Sequence, residues 1–157
     1  MRLSTDLAAA PEDVWRHVTS FAGINDELRP LLSMTVPPAL RGRAALDAAA
    51  PAVPVRLGRS VLLLFGVLPV ECDDIGLVEF EPPHRFLERS RMLTADVWEH
   101  ERTVAPLPAG HCRVTDRVRF HARFPPAGLV LGWTVPRLFR HRHARLAARF
   151  GRSPAVS

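Results

Sequence analysis

Between His84 and His121, four ionisable side chains share one parity with aromatic and aliphatic ones. The even positions run Phe86, Glu88, Ser90, Met92, then Trp98, His100, Arg102, Val104, then Val114, Asp116, Val118, Phe120. The odd positions are mostly charged, among them Arg85, Arg89, Arg91, Glu99, Glu101, Arg113, Arg117 and Arg119. Side chains alternate between the faces of a strand, so the stretch reads as three antiparallel strands with the even set inward. Glu88, His100, Arg102 and Asp116 are then charges turned toward an apolar interior, where they are costly unless paired. They can hold the polar end of a ligand in a hydrophobic cavity. They can also do acid–base chemistry, with His100 as general base and Glu88 or Asp116 orienting it. A neighbouring carboxylate raises a histidine's pKa, and burial opposes the rise. A third role is structural, because breaking a buried pair costs about 3–5 kcal/mol.

The turns decide which of these residues meet. A short link around Leu93 to Ala95 sets His100 opposite Glu88. The link through Pro106, Pro108 and Gly110 sets either His100 or Arg102 opposite Asp116. Opposed side chains lie about 5 Å apart at Cβ. One register therefore makes a row of Glu88, His100 and Asp116, and the other pairs Arg102 with Asp116.

The rest of the chain must position this meander. Residues 2–8 suit a first strand with Leu3, Thr5 and Leu7 on one side. Pro11 suits a first helical turn, and Glu12 and Asp13 complement the helix N-terminus. Val14, Trp15, Val18 and Phe21 form the stripe of that short helix. Gly23 reads as its break, and Ile24 to Leu32 as a second short helix interrupted near Pro30. Met34 to Val36 suggests a strand. Residues 37–58 are rich in proline and alanine, with one helical turn near Ala44 to Ala50; they read either as a flap over a site or as an irregular connection. Ser60 to Phe65 reads as a buried strand, Gly66 to Pro69 as a bend, and Cys72 to Phe80 as a strand with Gly76, Val78 and Phe80 inward. Beyond Pro125 and Pro126 the pattern is helical: Val135, Phe139, Leu146 and Phe150 share a face, with His143 on its edge. Pro136 marks the start of the main helix or a kink in it, and Gly151 marks its stop. The chain thus reads as one domain over 1–152 with a frayed tail over 153–157.

Composition narrows the function classes. The 157 residues, 47% hydrophobic and 24% charged, match a folded globular domain. All 21 basic residues are arginine, which removes a Schiff-base lysine from the possible mechanisms. From Arg117 onward there are nine arginines and no acid, against twelve arginines and sixteen acids before it, so the two parts carry +9 and −4. The basic end suits an anionic surface or simply the solvated side of a helix; with no nucleic-acid motif, no nucleic-acid partner is expected. Cys72 and Cys112 lack metal spacing and read as free thiols of a reducing, cytoplasmic compartment. No signal peptide is expected at Met1, and Val61 to Val70 is too short to span a bilayer. His141 and His143 diverge by about 200° on a helix and do not make a metal pair. No metal or cofactor is expected.

The order of one strand, two short helices, an antiparallel run and a long final helix is α+β. With Ala10-Pro11-Glu12-Asp13-Val14-Trp15, Leu64-Phe65-Gly66-Val67-Leu68-Pro69, Trp98-Glu99-His100-Glu101, Val114-Thr115-Asp116-Arg117-Val118 and the Arg/His-rich last helix, the chain resembles the START-like superfamily, also called SRPBCC or polyketide cyclase/dehydrase-like. The resemblance spans essentially the whole chain. It implies a helix-grip fold: a curved antiparallel sheet wrapped around the C-terminal helix, with a hydrophobic cavity between. It carries no universal catalytic signature, and its closest motifs are those of small bacterial members.

Three functions follow as expectations. The first is binding of a hydrophobic, lipid- or polyketide-like small molecule by Phe86, Glu88, Ser90, Trp98, His100, Arg102, Asp116, Val118, Phe120, Trp133, Phe139 and His143. The second is a cyclase, aromatase or dehydratase with His100, Glu88 and Asp116 as catalytic candidates. The third is peripheral membrane association through Trp133, Phe139 and the arginines of the last helix.

Overall fold

A computed structural model describes residues 1–42 and 52–153. The elements are β1 (Arg2–Leu7), α1 (Pro11–Val18), α2 (Phe21–Leu28), β2 (Leu32–Met34), β3 (Val55–Leu64), β4 (Leu68–Glu81), β5 (Arg85–Met92), β6 (Ala95–Leu107), β7 (His111–Ala122) and α3 (Pro125–Phe150). The strands form one curled antiparallel sheet in the order β1-β7-β6-β5-β4-β3-β2, with α3 in its grip. Hairpins build the sheet from β3 to β7, and β1 closes on β7 from across the chain, pairing Leu3 with Asp116.

Local chemistry accounts for the elements. Pro11 opens α1, Glu12 and Asp13 occupy its first turn, and Val14, Trp15 and Val18 are its buried face. The break between the short helices falls at Thr19 and Ser20, not at Gly23. The Ser20 hydroxyl accepts the Gly23 N–H at 3.0 Å and so caps α2. Gly23 lies inside α2 because a Cβ there would stand 1.9 Å from the His17 carbonyl oxygen. It marks a close crossing of α1 and α2. The second strand is displaced to Leu32–Met34, and α2 ends before Pro30. The expected turn over Ala44 to Ala50 lies outside the described residues.

The even set faces the interior through β5, β6 and β7, although Leu87, Ala95 and Thr115 are buried at odd positions, and parity fails in β4. There Asp73, Ile75 and Leu77 are buried, while Gly76 and Val78 lie on the other face. A register shift between Leu77 and Glu79 reverses the alternation, so Phe80 still packs inward. Pro136 neither starts nor divides α3, which runs unbroken over 26 residues.

Two of the three core clusters among the described residues lie as layers along α3, the third being Leu40, Leu57, Ile75 and Leu77. At one end Leu7, Trp15, Val104, Val114 and Leu146 pack together. At the other are Met92, Trp98, Val118, Leu131, Val135 and Phe139. Each such buried side chain contributes about 1.5–3 kcal/mol relative to exposure. Five polar residues on three elements fall between the layers: His100 and Arg102 between Trp98 and Val104, Asp116 between Val114 and Val118, and Arg142 and His143 between Phe139 and Leu146.

Candidate functional site

These polar residues form one continuous buried network. Arg102 and Asp116 are direct partners across β6 and β7. The guanidinium donates to both carboxylate oxygens, Nε to Oδ1 and Nη2 to Oδ2, each at 2.7 Å. His100, one inward position back along β6, reaches diagonally to Asp116 Oδ1 with Nε2 at 2.9 Å. His143 of α3 reaches Oδ2 with its own Nε2 at 2.9 Å, and its Nδ1 lies 2.8 Å from the Thr5 hydroxyl on β1. Asp116 therefore accepts four hydrogen bonds at full burial.

The register supplies both contacts that sequence reasoning treated as alternatives. Arg102 takes the place opposite Asp116, and His100 remains opposite Glu88 while bonding Asp116 along the diagonal.

A second carboxylate completes the closed end. Glu27, from the last turn of α2, is fully buried. It accepts Arg102 Nη1 on both oxygens, at 2.9 and 3.0 Å, and Arg142 Nε at 2.9 Å. One guanidinium thus joins α2 to the sheet, and a second joins α2 to α3. Burial alone would raise both carboxyl pKa values. Arg102 and Arg142 hold Glu27 below the usual range, and Arg102 with His100 holds Asp116 well below it.

The other end of the network is less complete. Glu88 Oε1 accepts the Ser90 hydroxyl at 2.7 Å, and Oε2 lies 3.8 Å from His100 Nδ1. Ser90 Oγ also takes the Gly76 N–H at 3.3 Å, where a Cβ on Gly76 would strike the Arg89 carbonyl. Asp73 stands beside this group on β4, only 2% exposed, and its Oδ1 has no hydrogen-bond partner among the described residues. Burial first, and then the charge of Glu88, pushes the Asp73 carboxyl up to about 9, so it is protonated at neutral pH. Glu88 moves the opposite way: burial would raise it, but His100 and Ser90 bring it down. For His100 burial acts downward, and Asp116 and Glu88 overcome it to raise the pKa. With His100 protonated, three cations (His100, Arg102, Arg142) face three anions (Glu27, Glu88, Asp116).

Aromatic rings surround the His100 end of the network. Phe86 and Phe139 meet His100 edge-on, at centroid distances of 5.4 and 5.1 Å. Trp98 stacks on Phe120 at 6.3 Å and approaches Phe139 at 6.4 Å. Val118 is buried in the same layer. The structure thus gathers Phe86, Glu88, Ser90, Trp98, His100, Arg102, Asp116, Val118, Phe120, Phe139 and His143 around one interior. Trp133 stands apart, 61% exposed with Arg137 over its ring at 4.1 Å. A cleft of about 280 Å³ opens on the outer face beside Arg56, Arg89 and Arg91, and of the inward set only Ser90 reaches it.

Glu27, Asp73, Arg142 and Thr5 are members of the network that sequence reasoning did not single out. Asp73 alternates with Ile75 and Leu77, a signal obscured by the nearby bulge. Glu27 falls beside Gly23 and Leu28 on the buried face of α2. No His, Cys, Asp and Glu group suited to a metal ion occurs among the described residues; Arg102 fills the space between the carboxylates. His141 turns away from His143 and bonds the Arg29 carbonyl.

Comparison with solved structures places this architecture. A protein from Chromobacterium violaceum, CV1439, is 21% identical, covers 98% of this chain and 97% of its own, and superposes with a TM-score of 0.66. A START superfamily protein from Mycobacterium smegmatis is 10% identical over 96% and 95%, with a TM-score of 0.66. The Zhui aromatase/cyclase from Streptomyces sp. R1128 is 13% identical over 95% and 91%, also at 0.66. At these identities the likeness shows a shared fold, and that fold is START-like. A comparison with curated proteins returns no match. The model of one family, described as a domain of unknown function, DUF8410, matches residues 5–150, and the chain belongs to that family.

Proposed function

We propose that the protein binds a small molecule with a hydrophobic body and a hydrogen-bonding head, held between the sheet and α3. The asymmetry of the buried network carries this reading. At Arg102, Asp116 and Glu27 every charge is matched and closed to solvent. At Glu88, Ser90 and Asp73 a protonated carboxyl lies beside an ionised one, and among the described residues Asp73 Oδ1 has no partner, a buried acceptor that costs free energy unless a further group meets it. A ligand hydroxyl or amide directed at Asp73 Oδ1 supplies that group, and Phe86, Trp98 and Phe120 offer apolar surface to its body. The START-like and aromatase/cyclase neighbours support the reading through the shared fold.

Native mass spectrometry of the purified protein, followed by organic extraction, tests it. A discrete hydrophobic species that is retained by the wild type and lost from folded Asp73→Ala supports the proposal. Identical retention by both proteins removes Asp73 from the site, and an extract devoid of any such species from cells of the native host counts against binding.

A second reading rests on the opposed pKa shifts of Asp73 and Glu88. A protonated acid beside an ionised base is the arrangement that acid–base enzymes build from two carboxyls. In this reading Asp73 donates, Glu88 accepts, and His100 sets the charge on Glu88, as a cyclase or dehydratase requires. Turnover of a polyketide-like substrate that survives both Asp73→Asn and Glu88→Gln would sink it.

A further inference from the structure

The end of the sheet where α3 begins is markedly apolar at its surface. Phe65, Val67 and Leu68 stand exposed on the β3–β4 hairpin, and Leu129, Val130 and Trp133 on the first turns of α3, with Val67 and Leu129 each 80% accessible. Polar contacts tie these two lips together. The Glu71 carboxylate at the hairpin base accepts the Leu93 N–H at 2.6 Å in the β5–β6 turn, and the Arg123 N–H before α3 bonds the Thr94 carbonyl of that turn. On the other side, Leu31 accepts the Phe65 N–H, while Arg29 accepts His141 of α3.

The exposed stripe of α3 is ordered by depth. Leu129, Val130 and Trp133 come first, and Arg137 and Arg140 follow on the same exposed side. At 1.5 Å per residue they lie about 6 and 10 Å further along the axis. Arg137 stacks on Trp133 and donates to its carbonyl at 2.8 Å. Neither Arg137 nor Arg140 pairs with an acid among the described residues, and α3 contains no acid at all. Apolar side chains at the tip with cations one to two turns behind match acyl chains beneath a layer of anionic headgroups. No helix among the described residues is long and apolar enough to cross a membrane.

We propose that this end of the molecule docks on an anionic lipid bilayer, with the β3–β4 hairpin and the start of α3 entering the interface and Arg137 and Arg140 meeting lipid phosphates. Flotation with phosphatidylcholine vesicles, with and without phosphatidylglycerol, tests it. The protein floats with the phosphatidylglycerol vesicles and is released by high salt. Arg137→Gln and Arg140→Gln each weaken binding about fivefold, and Val67→Asp weakens it further, all with an unchanged circular dichroism spectrum. Trp133 emission shifts to the blue on binding, and Trp133→Phe removes that shift, since Trp15 and Trp98 are already buried. Failure to float at low salt overturns the proposal, as does binding indifferent to lipid charge and to both arginine variants. Light scattering that shows a dimer broken by Trp133→Asp also overturns it, by assigning the patch to a second copy.

Discussion

Arg102 and Asp116 face each other across β6 and β7 with two hydrogen bonds of 2.7 Å and no exposure of either side chain. The guanidinium's third terminus is spent on Glu27, so this side chain ties β6 and β7 to α2, beside the Asn25 bonds to Met34 of β2. Desolvating these charges is expensive, and the geometry offsets the expense only while every partner is present. Arg102→Met takes the shared cation from two buried carboxylates at once, leaving Asp116 to His100 and His143 and Glu27 to Arg142. It is expected to cost about 3–5 kcal/mol or to prevent folding, as measured by urea denaturation. Arg102→Met combined with Asp116→Asn should recover part of that loss, because Glu27 keeps Arg142 and Glu88 keeps His100, two cations against two anions. A double variant no more stable than the single one would show that the stability lies in packing around the guanidinium, not in charge pairing.

Asp73 gives the opposite pH signature from a paired carboxylate. Its folded pKa, about 9, lies above the ordinary value near 4. Between those limits the native state holds a proton that the unfolded chain has released. Stability therefore falls as pH rises through that window, by up to about 1.4 kcal/mol per pH unit. Asp73→Asn keeps the shape of the neutral acid and removes the titration. Denaturation midpoints from pH 5 to 9 should slope less steeply for the variant than for the wild type, and parallel slopes would refute the protonated state.

The legible part of the sequence was the part governed by period. Alternation through Phe86 to Phe120 identified the inward face, and it flagged Glu88, His100, Arg102 and Asp116 because charge there violates the pattern. The element order read as α+β, and the wrapping of the sheet around the final helix followed from the resemblance to the START-like superfamily, not from period. What it could not give was the far partner. Glu27 reaches Arg102 from 75 positions away, and nothing local in α2 distinguishes a buried glutamate from a solvated one. Asp73 escaped for a different reason: one extra residue at the β4 bulge reverses parity, and period-based reading carries no signal for where such a shift falls.

The closeness of α1 and α2 makes Gly23 a sensitive position. Gly23→Ala places a methyl on the His17 carbonyl, which is backbone and cannot rotate aside. The helices must part, and Glu27 moves with α2 away from Arg102 and Arg142. An overpacking cost of about 1–3 kcal/mol is expected, together with perturbed His100 and His143 ring signals in NMR spectra. An alanine variant with wild-type stability and unshifted histidines would mean that α2 is not held at this spacing.

The two thiols should part company on labelling. Cys112 is fully buried on β7, and burial pushes its thiol up to about 11, so little thiolate forms at pH 8. Cys72, on β4, is partly accessible. A thiol reagent should therefore modify one equivalent quickly, with the second released only by denaturant. Cys72→Ser should abolish the fast phase and leave the slow one intact.

His100 offers the most direct probe of the Glu88 end of the network. Its pKa is raised because Asp116 and Glu88 outweigh burial. A histidine raised in this way stabilises the fold fully below its ordinary value near 6.5, and that contribution is lost as pH rises through the folded pKa. Glu88→Gln removes the charge facing Nδ1 and leaves the Asp116 bond to Nε2 in place. The His100 titration followed by NMR should consequently move to lower pH without vanishing, and the stability lost on the alkaline side should begin earlier. An unmoved titration would mean that Asp116 alone sets the charge of His100. Glu88 would then be free to act on a ligand independently of the histidine, and both the binding and the acid–base readings would have to be rebuilt on Glu88 and Asp73 alone.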